Sequence, residues 1–580
     1  MGGIVERLFR EFSLTLAAAI LVSLAVSLTL TPSLCSRLLR RRDAGTPSRF
    51  HAATDRWFDA VKRGYDTSLG WVLRHPGLVL VTLLGTIALN VAVYVRLPKG
   101  FLPAQDTGTL FGFVRGDDAF SYEIMQPKIE AFRRHVLADP AVQDVIGFSG
   151  GTSGISNSRF TVRLKPMRER RISANDVVNR LRLSAPIVPG GQLYLYGAQD
   201  LDGPRMTDGS SQEVNLMAAD LGLLRQWVPR ISSAFRDLPE LVDIEAPSDG
   251  GTQQVSLHID REAARRLGVD MQIIAQVLNN SFSQRQIATL YDRMNQYRVV
   301  MELEPRYTAD PEVLDQVQVI AANGTRVPLS AFARYDYSLV DDRVRHRNQF
   351  AAERIGFGLA PGVSLEEGLA AIDRAMGEIM LPNDIQVVVG GSGQNFQRAL
   401  QNQPLLILGV LLAVYLVLGI LYESLIHPLT ILSTLPSAGL GALLALRLTG
   451  TEFSLIALLG LFLLIGIVMK NAILMIDFAL GIERREGLSP REAIFAAARL
   501  RLRPILMTNV AALLGALPLV FAAGEGVEMR RPLGLTIVGG LFVSQLLTLY
   551  TVPVVYLALE RLRSRVTRAR AGAAGVPASA

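Results

Sequence analysis

The chain has 580 residues, of which 49% are hydrophobic and only 19% charged, with a net charge of +7. A soluble chain carries about 25% charged residues, so a wholly soluble class is excluded. A single cysteine, Cys35, excludes a disulfide framework and any multi-cysteine metal site. The arginines cluster directly after apolar blocks, which is the pattern of cytoplasmic loops and not of a nucleic-acid surface.

Phe12 to Leu34 reads as a first membrane span, since a bilayer needs about 20 apolar residues. It runs into Thr31-Pro32 and then Arg40, Arg41 and Arg42, not into a small-residue cleavage site. That makes it a retained span with its basic end in the cytoplasm and the start of the chain outside. In Thr54 to Leu73, residues Trp57, Phe58, Val61, Tyr65, Leu69 and Val72 recur at helical spacing. They define an amphipathic helix, either on the inner membrane surface or packed on protein. His75-Pro76 opens a second span, Gly77 to Val95.

From Pro98 to Arg398 the character is soluble and α+β. Strands are expected at Thr109 to Val114, Val142 to Phe148, Phe160 to Leu164 and Gln192 to Tyr196, with helices at Tyr122 to Leu137 and Ser173 to Leu183. The β-α-β-β-α-β order is that of a ferredoxin-like unit. A second unit begins at Glu213 to Met217, with a helix at Leu223 to Phe235 and strands at Val242 to Ile244 and Gln254 to Ile259. An insertion from Arg261 to Arg347 interrupts it, and it resumes at Ala351 to Gly358, Leu365 to Met380 and Ile385 to Val389.

Five more spans follow: Leu405 to Tyr422, Pro428 to Leu446, Phe453 to Leu480, Ile505 to Ala522 and Pro532 to Leu557. The third of these carries Lys470 and Asn471 at mid-depth. A lysine there costs roughly 2.5–3.5 kcal/mol on insertion scales, so it is kept for a purpose. Snorkelling is the bland alternative, but Lys470 is far from either end of its span. A proton or ion relay inside a helix bundle is the sharper reading. Ser489-Pro490-Arg491-Glu492 is a capping box with proline at the first helical position. The small-residue end of the tail is expected to be disordered.

The expected organisation is therefore residues 1–97 as two spans with a cytoplasmic linker helix and 98–200 as a first subdomain. Residues 201–260 with 348–397 form a second, and 261–347 an insertion. Residues 398–560 hold five spans, and 561–580 a cytoplasmic tail. No nucleotide loop, nucleophile elbow or H-x-x-x-H site is present, so an enzyme is not expected and the energy source is an ion gradient, with no cofactor.

Several stretches then carry a family resemblance: GGIVERLFREF (Gly2 to Phe12), LTLTPSLCSRLL (Leu28 to Leu39), LPKGFLPAQDTG (Leu97 to Gly108) and LYESLIHPLTIL (Leu421 to Leu432). GIVMKNAILMIDFA (Gly466 to Ala479), RLRPILMTNVAALLGALPLV (Arg501 to Val520) and the run Arg530 to Tyr556 continue it. In this order they resemble the C-terminal half of the resistance-nodulation-division multidrug efflux pumps, the hydrophobe/amphiphile exporters of Gram-negative inner membranes. The resemblance implies an α-helical multi-span membrane protein, of about seven spans here, with a large α+β periplasmic domain of ferredoxin-like porter subdomains. It implies drug/proton antiport of small amphiphilic substrates, a trimer held by a docking subdomain like 261–347, a periplasmic adaptor protein and an outer-membrane channel.

Residue by residue, the resemblance places a proton relay on Lys470, Asn471, Thr508 and Arg501. It places a substrate-path loop on Gly150, Gly151, Thr152, Ser153, Gly154, Ile155, Ser156 and Asn157. Much of the family has phenylalanines in that loop and this chain has none, and a flexible hairpin without ligand contact is the alternative. The family completes its relay with two adjacent aspartates in the N-terminal half, and no mid-span pair exists here. Asp477 lies on the face of Lys470 but about 10 Å along the axis. The chain is thus expected to need an N-terminal half or a related subunit. A membrane subunit or truncated remnant that does not transport, and that assembles with or regulates complete pumps, is the alternative. Metal export would need Met, His or Glu clusters along a path, which are not found.

Overall fold

The computed structural model describes residues 4–38, 49–150, 156–200, 212–247, 251–308, 310–341 and 344–573. Helices α1 (Ile4–Leu38), α2 (Arg49–Arg74) and α3 (Pro76–Arg96) open the chain. Pro76 starts α3 where a missing N–H is tolerated, and Leu97, in extended conformation, ends it.

The first sheet unit contains β1 (Thr109–Gly116), α4 (Tyr122–Leu137), β2 (Val142–Ser149), β3 (Asn157–Leu164), the single turn α5 (Met167–Arg170), α6 (Ala174–Leu183) and β4 (Gly191–Gly197). Its strands run antiparallel in the order β2-β3-β1-β4. Period-two alternation explains β3, where Ser158, Phe160, Val162 and Leu164 face inward. Helices α4 and α6 cover that face with Met125, Phe132, Val177 and Leu181. Ser121 and Ser173 cap them, Ser173 through a capping box with Asp176.

The second unit starts with β5 (Gln212–Ala218), α7 (Leu221–Arg236) and β6 (Leu241–Glu245). Here the structure differs from the expected boundary. Strand β7 (Thr252–Ile259) does not join this sheet; it pairs along its whole length with the returning strand β12 (Ala333–Val340). The ribbon carries α8 (Arg261–Arg266), α9 (Met271–Phe282), the hairpin β8 (Arg285–Tyr291) and β9 (Gln296–Met301), and the small pair β10 (Gln318–Ile320) and β11 (Arg326–Pro328). The insertion thus begins at Thr252, not at Arg261, and has its own core around Ile274, Val319, Leu329 and Phe332. Propensity marks 254–259 as a strand, but sheet membership depends on a partner some eighty residues away in the sequence, which local pattern cannot name. The chain re-enters with β13 (His346–Arg347), β14 (Phe350–Leu359), α10 (Leu365–Glu378) and β15 (Gln386–Gly390). Strand β14 lies between β5 and the edge formed by β6 and β13, and β15 pairs β5 on its far side. The order β6-β14-β5-β15 therefore repeats that of the first sheet.

The remaining helices are α11 (Gly391–Tyr422), α12 (His427–Leu432), α13 (Leu435–Leu448), α14 (Leu455–Glu486), α15 (Pro490–Phe521) and α16 (Val527–Ala573). Among the described residues, seven helical stretches are long and apolar enough to cross a membrane. Several are longer than expected, and α11 begins at Gly391, not at Leu405. The capping-box helix and the span at Ile505 form one continuous α15, and α16 stays helical to Ala573, well into the expected tail. Small residues set the closest crossing: a Cβ on Gly441 would lie 2.3 Å from the carbonyl oxygen of Gly539. The apolar stretch of α1 packs least, 0% of it being buried, although Phe9 meets Phe462 at 5.9 Å.

Helix α2 packs on protein. Tyr65, Leu69, Val72 and Leu73 are buried, Tyr65 Oη donates to the Leu549 carbonyl at 2.9 Å, and Asp66 pairs with Arg499 at 3.1 Å. Trp57 and Trp71 stay exposed.

The segment after α3 joins the two parts. Phe453 N–H donates to the Pro98 carbonyl at 2.9 Å, and Leu455 N–H to that of Phe101 at 3.1 Å. Lys99, buried under Tyr94, reaches Glu366 at 3.0 Å. Asp106 is buried against Arg170 and also accepts from Ala174 N–H at 2.8 Å and Gly108 N–H at 3.1 Å. Burial opposes its ionisation, yet these donors hold its carboxyl below the usual range. A carboxyl with a depressed folded-state pKa adds stability above its unfolded pKa, about 3.9, and loses it as the pH falls through the folded value. Asp106→Ala leaves Arg170 buried and unpaired and should cost about 3–5 kcal/mol. Thermal melts of Asp106→Asn should show a deficit at neutral pH that narrows in acid. An unchanged melt at pH 7 would rule out this role.

Candidate functional site

The polar residues of the helical bundle lie on different faces of α14. Neighbouring residues on a helix point about 100° apart. Lys470 is exposed, on one stripe with Gly466 and Asp477, and it makes no ion pair or hydrogen bond among the described residues. Asn471 instead is buried against α15, where its Nδ2 donates to Oδ1 of the equally buried Asn509 at 2.8 Å. Oδ1 of Asn471 has no hydrogen-bond partner among the described residues. Thr508 is half-buried, and its hydroxyl donates within its own helix to the Ile505 carbonyl at 3.1 Å. Arg501 shares a face of α15 with Thr508, about 10 Å along the axis, and lays its guanidinium over Phe478 at 4.2 Å.

The structure thus brings Asn471 to α15 but places Lys470 on the open side. Asn509 is absent from the sequence-based site, although an amide in mid-span is the same anomaly that singled out Asn471. The basic start of α15 also binds α2, through Arg499 to Asp66 and Arg503 to Asp55 at 3.9 Å.

A cleft of about 710 Å³ lies where the two sheet units meet the α13–α14 loop. Phe101, Phe113, Tyr194, Arg182 and Glu452 line it, and Tyr194 stacks on Phe113 at 4.7 Å. Ion pairs bridge the two units beside it, Arg182 with Asp243 and Arg115 with the buried Glu245 at 3.4 Å, and Arg354 of the second unit holds the same Glu245 at 3.2 Å. Burial, then Glu245, pushes the Tyr194 hydroxyl up to about 12. Burial, then Glu367, pushes the Glu452 carboxyl up. Aromatic walls with few charges suit an apolar guest with a polar end. Among the described residues no cluster of His, Cys, Asp or Glu could hold a metal.

Residues 151–155 of the glycine-rich loop lie outside the described residues. Gly150 has φ +86, Ser156 is buried with its hydroxyl on Asp118 at 3.4 Å, and Asn157 starts β3. These three residues do not line the cleft. The edge strand β2 exposes Phe148 (73%) just before the loop, an aromatic that lies outside the expected site.

Among the described residues, seven helices of membrane-spanning length, one of them carrying a lysine at its middle on an open face, together with two like-ordered sheets, define the class of architecture. The chain belongs to the AcrB/AcrD/AcrF family, whose signature matches residues 1–560. It is 49% identical over 568 residues to "Multidrug resistance protein MdtC" of Yersinia enterocolitica serotype O:8 / biotype 1B (strain NCTC 13174 / 8081), covering 98% of this chain and 55% of that protein. The MdtC proteins of Yersinia pestis bv. Antiqua (strain Angola) and Yersinia pseudotuberculosis serotype O:3 (strain YPIII) give the same figures. The chain spans about half the length of these relatives.

A double-mutant cycle of Asn471→Ala and Asn509→Ala, read by thermal unfolding in detergent, should return a coupling of about 0.6–1.7 kcal/mol. Additive single effects would show that the amide bond does not tie α14 to α15.

Proposed function

We propose that the chain supplies the C-terminal part of an inner-membrane, proton-driven multidrug exporter. The observation that carries this is Lys470: a lysine in the middle of α14, on its open face, with no carboxylate paired to it among the described residues. Its partner comes from polypeptide outside these 580 residues, and protonating that partner releases the lysine. Two states biased by a proton are what coupling requires. The names of the MdtC relatives support multidrug export.

In this reading the two like-ordered sheets are ferredoxin-like porter subdomains, and the cleft between them takes small amphiphilic substrates. Phe148 and the 150–157 loop border the substrate path. The insertion on β7 and β12 is the docking subdomain of a trimer, which works with a periplasmic adaptor and an outer-membrane channel. Arg74, Arg484, Arg485 and Arg491 lie at the helix ends opposite those that lead into the sheets, and Arg561 follows the apolar part of α16. By the positive-inside rule that end is cytoplasmic and the sheets are periplasmic. The first residues are then periplasmic and the end of α16 cytoplasmic. A membrane subunit that assembles with complete pumps and transports nothing is the second reading; the same open face of α14 would serve its assembly.

Co-expression with an N-terminal half should restore drug efflux, and the chain alone in liposomes should show none. Lys470→Ala should abolish the restored efflux, and Lys470→Arg should do poorly, since guanidinium is larger and does not release its proton. Undiminished efflux in Lys470→Ala would favour the second reading. For orientation, in a Cys35→Ser background an impermeant thiol reagent on intact spheroplasts should label Ser184→Cys and spare Glu486→Cys. The opposite pattern inverts the topology.

A further inference from the structure

A second cavity, of about 250 Å³, opens at the arginine-rich end of the bundle, and no residue of the cleft or of the relay lines it. It lies between the elbow of α2 and α3 and the last turns of the apolar part of α16. Leu73, Gly77, Leu80, Val554 and Leu557 line it, and the single polar side chain on its wall is Arg561. Its origin is local. His75-Pro76 breaks the helix, α3 leaves at a new angle, and Gly77 has no atom within 4 Å of where a Cβ would stand. The slot is therefore open where a side chain would otherwise fill it.

The one charged residue on its wall is basic. Arg561 is exposed and has no ion pair among the described residues, whereas its neighbour Arg563 is held by Glu560 at 3.5 Å. The exposed Arg74 sits in the elbow between the lining residues Leu73 and Pro76. An apolar slot between two membrane-length helices, with the guanidinium group of Arg561 on its wall, matches one occupant in both parts: an acyl chain inside and a phosphate at the rim.

We propose that this slot binds an anionic glycerophospholipid of the leaflet on the basic side, its acyl chain along Leu80 and Val554 and its headgroup phosphate on Arg561. The inference rests on the reading that α3 and α16 cross the membrane. The bound lipid would fill the gap at the elbow and brace α2, which also holds the start of α15 through Asp66 and Asp55.

The test uses the full chain reconstituted in vesicles of phosphatidylethanolamine with phosphatidylglycerol, then extracted in mild detergent, with retained lipid counted by native mass spectrometry. The wild type should retain phosphatidylglycerol in preference. Arg561→Gln should lower that retention about fivefold, the effect expected of one arginine at a membrane surface, and leave phosphatidylethanolamine unchanged. Gly77→Leu, which fills the slot, should lower retention of both lipids. Excess inorganic phosphate should not displace the lipid; displacement would mean an ion site and overturn the proposal. Equal retention of the two lipids, or no loss in Arg561→Gln, would also overturn it while leaving the membrane reading intact. Failure of the chain to float with either vesicle would overturn both.

Discussion

The structure depends on a short exchange of backbone hydrogen bonds where Pro98 and Phe101 meet Phe453 and Leu455. Buried N–H and C=O groups have to be paired, and here the segment leaving α3 and the segment entering α14 satisfy each other. The exchange fixes the sheets on the helical bundle. It also sets where α14 begins, because Ser454, its N-cap, directly follows Phe453. Glu452 and Ser454 line the cleft, and Lys470 lies about 24 Å further along the same helix. One continuous helix therefore runs from the cleft floor to the mid-depth lysine.

The division of labour on α14 follows from helical geometry. Lys470 and Asn471 are adjacent in sequence, yet they face different surroundings. A buried amide without a partner is destabilising, and Asn471 meets this by bonding Asn509, which couples α14 to α15. Lys470 has no such partner among the described residues and lies on the exposed stripe with Asp477. The bundle behind that stripe is held by close approach of backbones, with Gly441 against Gly539 and Gly540 against Ala438.

The two sheet units are held by ion pairs as well as by their cores. Asp106 with Arg170 anchors the incoming segment, and Glu245, held by Arg354 of its own unit, joins the two sheets across the cleft edge through Arg115. Such pairs are unforgiving when one member is lost, because the other stays buried and unpaired. They fix the relative placement of Phe113 and Tyr194 on one side and Phe357 on the other, which all line the cleft.

Local pattern located the long apolar helices and the strands and helices of the two sheet units, but not the helices and hairpins inside the insertion. Apolar runs of bilayer length marked the seven long apolar helices, and alternation marked β1, β3, β5 and β14, because these signals are local and each face must be buried. The mid-depth Lys470 and the capping box at Ser489 were legible for the same reason: each is an anomaly or a motif within a few residues. Tertiary structure alone decided which strands share a sheet, and β7 left its expected neighbours because its partner β12 is remote in sequence. It alone chose protein contact for α2, where Tyr65 finds the Leu549 carbonyl. It alone separated Lys470 from Asn471 and supplied Asn509, since a hydrogen bond between helices depends on how they are packed and rotated. The cleft and the elbow slot arise where segments from distant parts of the chain converge, and no local pattern encodes that convergence.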